Sequence, residues 1–199
     1  MEANMEKQLK TGTTTLGMIF KDGVVLAADT QSTAGYIESR NEKKVHAITR
    51  HIALTTAGVV GDIQAVIRLL KAESKLYQMN NGGITTNGVV TLLSNVLHSN
   101  RMFPYITALL VGGYDEEPKL MAIDPYGGVG TGEDFFVTGS GAPLAMGVLE
   151  SSYTKNMTEK ETVELARKAV STAQERDIYT GGRRVSVAVI DKNGFREVK

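Results

Sequence analysis

The hydrophobic pattern sets in at Thr13. Thr13 to Lys21 is a run of β-branched and apolar residues, Asp22-Gly23 interrupts it, and Val24 to Ala28 resumes it. Asp-Gly between two such runs predicts a hairpin, because the favoured two-residue turn wants φ > 0 at both central positions. Val45 to Ile48 and Ile52 to Ala57 predict a second strand pair, turning through Thr49, Arg50 and His51. The period then changes. Ile63, Val66, Ile67 and Leu70 share one helical face, Tyr77 continues the stripe, and Asn80-Asn81-Gly82-Gly83 closes it. A second helix is predicted from about Thr86 to His98, with Val89, Leu92, Leu93 and Val96 inward.

Ile106 to Tyr114 predicts a buried strand, with a turn at Asp115-Glu116-Glu117-Pro118 and a return over Leu120 to Ile123. The glycine-rich stretch 127–132 predicts a loop, and Phe135 to Thr138 a short strand. Pro143 opens a third helix at a position where its missing N–H costs nothing. Thr158-Glu159-Lys160-Glu161 is a capping box that opens a fourth, with Leu165, Ala166, Ala169, Val170 and Ala173 inward. A last hairpin runs from Val185 to Asp191, turns at Asn193-Gly194 and ends over Phe195 to Val198. Strands, two helices, strands, two helices and strands joined by hairpins give an α+β chain with mostly antiparallel sheets. The elements suit two packed sheets with helices on both outer faces. The first 12 residues are polar and without periodicity, and are expected to form a loosely held leader.

Composition narrows the chemistry. The 199 residues contain no cysteine, so disulfides, thiol nucleophiles and cysteine-held metal sites are excluded. Equal numbers of basic and acidic residues, 22 each, give no electrostatic case for nucleic acid. No run reaches the ~18 consecutive apolar residues of a membrane span, and the charged N-terminus has no signal-like apolar region. The expected location is cytoplasmic.

Familiar catalytic signatures fail in turn. Gly139-Ser140-Gly141 lacks the outer glycines of a nucleophile elbow, since Thr138 and Ala142 stand there. Gly128, Gly130 and Gly132 do not make a dinucleotide motif. His46, His51 and His98 have no metal-ligand spacing, and no metal or cofactor is expected. What remains is Gly12-Thr13-Thr14-Thr15-Leu16-Gly17. Read plainly, it opens a strand behind a flexible joint. Read chemically, cleavage at Gly12–Thr13 would put a hydroxyl nucleophile and a free amine on one residue. An α-amine has a pKa of ~7.7–8.0, so it serves as a base without histidine or thiol.

Thr13-Thr14-Thr15-Leu16-Gly17, Asp29, Lys43-Lys44-Val45-His46, Thr56-Ala57-Gly58-Val59-Val60-Gly61-Asp62, Thr138-Gly139-Ser140-Gly141 and Arg176-Asp177-Ile178-Tyr179-Thr180-Gly181-Gly182 follow one another in an ordered set. In order and spacing this set resembles the proteasome beta subunits, of the archaeal type with a short propeptide, from Gly12 to about Val198. The resemblance implies the four-layer αββα sandwich of N-terminal nucleophile hydrolases. Residues 1–12 would be a propeptide removed by autocleavage between Gly12 and Thr13, and 13–199 a single catalytic domain.

It implies roles as well. Thr13 would attack the scissile carbonyl with its own α-amine as base, and Lys44, paired with Asp29, would lower the pKa of that amine. The Gly58 N–H would face the oxyanion, and Ser140, Asp177 and Thr180 would complete the network around the amine. Thr180 stands where the family commonly has serine. The stretch from Asp29 to Lys44 is one residue short of some relatives, so Lys43 is a rival to Lys44. Ser32, His46, Thr56, Val60 and Gln64 would line the pocket for the residue before the cut, and Thr33 and Gly58 would pair with the substrate backbone.

The implied assembly is seven-membered beta rings stacked in a barrel, closed by alpha subunits and fed unfolded polypeptide by a regulatory ATPase. Neither nucleic acid nor membrane is an expected partner. Two alternatives stay open: a simpler N-terminal nucleophile peptidase or amidase of the same fold, and a non-catalytic ring subunit.

Overall fold

A computed structural model of the chain describes residues 12–198. Most of the expected leader, residues 1–11, therefore lies outside the described residues. The first sheet has five antiparallel strands in the order β10-β1-β2-β11-β12. They are β1 (Thr14–Phe20), β2 (Gly23–Ala28), β10 (Phe135–Gly139), β11 (Ser186–Asp191) and β12 (Gly194–Val198). The second five-stranded sheet runs β5-β6-β7-β8-β9, also antiparallel. Its strands are β5 (Val45–Ala47), β6 (Ile52–Gly58), β7 (Thr107–Tyr114), β8 (Pro118–Ile123) and β9 (Val129–Gly130). A small hairpin, β3 (Ser32–Thr33) with β4 (Ile37–Ser39), stands apart from both. The helices are α1 (Val60–Asn81), α2 (Thr86–Ser99), α3 (Ala142–Ser152) and α4 (Glu159–Arg176).

The two-residue period of the strands sorts the core. In β2, Val25 and Ala27 join Ala145 and Leu149 of α3 and Ala166, Ala169 and Val170 of α4. Their neighbours Val24, Leu26 and Ala28 face the other way and pack with Ala53 of β6 and Leu120 of β8. In β6 and β7, Ile52, Leu54, Leu109 and Val111 pack on Val66 and Leu70 of α1 and Val89 and Leu93 of α2. Alternation in these strands is thus hydrophobic on both faces, as sheets covered on both sides require.

Helix ends follow the sequence signals. Thr158 and Glu161 form the reciprocal capping box of α4. Thr85 caps α2 by accepting from Gly88 N at 3.1 Å. The sequence reading needs correction at four places. The β1–β2 turn is Lys21-Asp22, with Phe20 opposite Gly23, and Asn156 is the one non-glycine residue with positive φ among the described residues. Gly23 is instead the first residue of β2, where a Cβ would lie 2.3 Å from the Ile190 carbonyl oxygen. The β3–β4 hairpin was not expected, because two or three residues per strand leave no readable period. The loop expected over 127–132 contains β9, held by two register pairs to β8. Finally, α1 starts at Val60, ahead of the apolar stripe, while its end at Asn81 before Gly82 falls within the stop expected at Asn80-Asn81-Gly82-Gly83.

The topology gathers chemistry at one end of the sheets. Thr14, first in β1, pairs with Gly139 at the end of β10, while Thr15 pairs with Ala28 at the end of β2. Asp29 and Ser140 therefore flank Thr13. Val45 pairs with Thr55, so Lys44 enters beside the C-terminal end of β6, where Gly58 stands.

Candidate active site

Thr13 precedes β1 and is buried, 5% exposed. Its hydroxyl donates to the Gly12 carbonyl oxygen at 2.6 Å and accepts from Lys44 Nζ at 2.7 Å. The nucleophile candidate is thus held against the carbonyl of its own preceding residue. Gly12 is packed closely against Tyr179: a Cβ built there would fall 1.6 Å from Tyr179 Cβ.

Asp29 is fully buried and spends both carboxylate oxygens on the site. Oδ1 accepts from Lys44 Nζ at 2.7 Å and Thr14 N at 3.0 Å. Oδ2 accepts from Gln31 N at 3.1 Å and Gly181 N at 3.0 Å. A buried carboxylate needs such compensation, and a cation with three backbone donors supplies it. Burial pushes the Lys44 ammonium below its ordinary pKa, while the charge and hydrogen bond of Asp29 pull it back up. Its neighbour Lys43 instead reaches Glu197 Oε1 at 2.6 Å on the exposed surface. Of the two adjacent lysines, Lys44 is the one on Thr13.

On the other side of Thr13 a chain of hydroxyls converges on Asp177. Thr13 N donates to Ser140 Oγ at 3.2 Å, and Ser140 Oγ donates to Asp177 Oδ2 at 2.5 Å. Thr180 Oγ1 donates to the same oxygen at 2.5 Å and lies 2.7 Å from Thr14 Oγ1. A hydroxyl has one hydrogen to give. With that of Thr180 committed to Asp177, Thr14 donates to Thr180. Neither Ser140 nor Asp177 spends its side chain on capping its adjacent helix.

Thr13 opens on a cleft of about 360 Å³ between the β3–β4 hairpin and the start of α1. All of Ser32, Thr33, His46, Thr56, Gly58, Val60 and Gln64 line it, with Lys44 and Gly12. Asp29, Ser140, Asp177 and Thr180 stand outside it. Gly58 has φ 131°, and a Cβ there would lie 2.0 Å from the Ile106 carbonyl oxygen. Only glycine fits that backbone. Burial, together with the cations Lys43 and Lys71, holds His46 down at about 4. Its Nε2 is buried without a hydrogen-bond partner.

Sequence reasoning did not single out Gln31, Tyr179, Glu38 or Glu42, all of which stand at the site. Gln31 and Glu42 contribute through backbone turns and cleft walls, which leave no motif. The Thr14 hydroxyl joins the chain through Thr180, but a threonine in a β-branched run reads as strand.

Comparison with known proteins agrees with the resemblance. The family model described as "Proteasome subunit" matches residues 9–190. "Proteasome subunit beta 2" of Thermococcus kodakarensis is 50% identical, over 97% of this chain and 96% of its own. "Proteasome subunit beta 2" of Thermococcus onnurineus is 49% identical over 94% of each chain. "Proteasome subunit beta 1" of Pyrococcus furiosus is 48% identical, over 97% of this chain and 98% of its own.

Proposed function

The chain belongs to the proteasome subunit family as a beta subunit of the core particle, and we propose that it is a catalytic one, a threonine endopeptidase whose nucleophile is Thr13. The observation that carries this reading is the Thr13 hydroxyl held between Lys44 Nζ and the carbonyl oxygen of Gly12. Some beta subunits are inert, and a buried lysine–carboxylate pair aimed at a hydroxyl favours the active kind.

The first reaction is self-cleavage. Thr13 Oγ adds to the Gly12 carbonyl carbon and the C–N bond to Thr13 breaks. The hydroxyl proton finishes on the departing nitrogen, and an ester joins Gly12 to Thr13 Oγ. Water hydrolyses the ester, releasing residues 1–12 as a carboxylic acid and freeing the hydroxyl beside the amine released in the previous step. Catalysis repeats the sequence on a substrate peptide. Thr13 Oγ attacks, the α-amine takes the proton and passes it to the leaving amine, and water releases the acyl group.

Lys44 beside the amine disfavours its protonation, which keeps it a base near neutral pH. Asp29 holds Lys44 in place. Ser140, oriented by Asp177 and Thr180, takes a hydrogen bond from the Thr13 nitrogen. The Gly58 N–H serves the oxyanion, an arrangement for which each donor is typically worth ~10²–10³ in rate.

The four-layer αββα sandwich is supported by the three core clusters, one between the sheets and one under each helix pair. The assembly proposed is a barrel of stacked seven-membered beta rings with alpha subunits at its ends, fed unfolded polypeptide by an ATPase in the cytoplasm. No helix among the described residues is long and apolar enough to cross a membrane. The test is Thr13→Ala in the assembled complex, which is expected to abolish peptide hydrolysis. Hydrolysis at the wild-type rate would overturn the assignment.

A further inference from the structure

The cleft beside Thr13 carries charge that the catalytic reading does not use. Four charged residues line it: Glu38, Glu42, Lys43 and Lys44. The two cations are already committed, Lys44 to Asp29 at 2.7 Å and Lys43 to Glu197 at 2.6 Å. The two carboxylates are not: among the described residues, neither Glu38 nor Glu42 belongs to an ion pair. Glu38 accepts only the neutral hydroxyl of Ser32, at 3.2 Å.

The rest of the wall fits the same occupant. Ile63 and Ile67 of α1, with Val60, give it an apolar strip, and Gln64 and Thr56 add neutral polar groups. A cleft that combines an apolar strip with two carboxylates outside any ion pair, one of them near enough to Lys44 to raise its pKa, suits a long side chain with a hydrocarbon stem and a cationic head. His46, held neutral, adds no competing cation.

We propose that this cleft selects substrates with lysine or arginine immediately before the cut, and that Glu42 and Glu38 are the residues that set the preference. The proposal rests on the reading of Thr13 as the nucleophile, because that places the cleft next to the scissile bond. An acidic residue at the same substrate position meets two like charges and is disfavoured.

The test uses the assembled complex and three fluorogenic peptides that differ only in the residue before the cut: arginine, norleucine or glutamate. The arginine peptide is expected to have the highest kcat/KM and the glutamate peptide the lowest. In the isosteric double variant Glu38→Gln/Glu42→Gln, the arginine-to-norleucine ratio of kcat/KM should fall by up to about fivefold for each carboxylate that contacts the head, the scale of an exposed charge contact. Wild-type preference for norleucine or glutamate would overturn the proposal, as would a ratio that survives both substitutions. A different failure identifies a fault in the underlying reading: no peptide cleaved by the wild type, or the arginine peptide still cleaved by Thr13→Ala.

Discussion

Lys44 Nζ lies 2.7 Å from Thr13 Oγ1, although the two residues come from opposite sheets. Lys44 enters β5 and Thr13 enters β1, so the contact forms only when the sheets pack through Val24, Leu26, Val45 and Ala53. Folding of the whole domain therefore builds the site. Lys44→Met is expected to reduce peptide hydrolysis by at least ~10²-fold, the loss typical of one preorganised electrostatic group. Lys44→Arg should not restore it, because a planar guanidinium does not replace a compact ammonium. Both are read from kcat/KM on one fluorogenic peptide.

Asp29 is expected to matter to stability as well as to the proposed chemistry. Asp29→Ala would leave the buried Lys44 charge and three backbone N–H groups without their acceptor. Breaking a buried pair this way costs about 3–5 kcal/mol. Urea unfolding followed by circular dichroism should show a clear drop in the midpoint.

Gly12 is required by space. In Gly12→Ala the new methyl would fall on Tyr179, so the Gly12 carbonyl must move away from Thr13 Oγ1. Self-cleavage is expected to stall, with the leader retained in the intact mass. The same protein expressed to begin at Thr13 should be fully active, because residue 12 is then absent.

Thr180 tests the hydroxyl chain. Thr180→Ser keeps the donor to Asp177 Oδ2 and the acceptor for Thr14, and should retain near-wild-type kcat/KM. Thr180→Val removes both and strands the buried Thr14 hydroxyl, a cost of about 1–3 kcal/mol. A kcat/KM lower by about tenfold is the expected result.

His46 gives a pH dependence with a definite sign. Its folded pKa of about 4 lies below the ordinary value of 6.5. Between those values the unfolded chain binds the proton and the folded chain does not, so stability falls as pH drops from 6.5 toward 4. Unfolding midpoints measured across that window should decline less steeply in His46→Gln.

The sequence made the helices and long strands legible because their apolar residues repeat at 3.6 or 2. The Thr158–Glu161 box located the start of α4. The Asp22-Gly23 turn was misplaced by one residue, since the close approach of β11 to Gly23 is a long-range fact. Thr13 stood out by the chemistry of a cleaved Gly12–Thr13 bond, whereas Asp29, Lys44, Ser140 and Asp177 were reachable only as an ordered motif set. The reason each matters lies in contacts across long sequence separations, such as Gly181 N on Asp29 Oδ2. Glu38 and Glu42 had no signal at all, because β4 is three residues long and a surface carboxylate looks the same wherever it stands.

The most direct test of the central claim is the intact mass of the purified, assembled complex after exposure to an inhibitor directed at N-terminal threonine. The account predicts a subunit shortened by its first 12 residues, beginning at Thr13, with one inhibitor adduct on that residue and no remaining peptidase activity. An active complex whose subunit still begins at Met1, or which carries the adduct elsewhere, would contradict it.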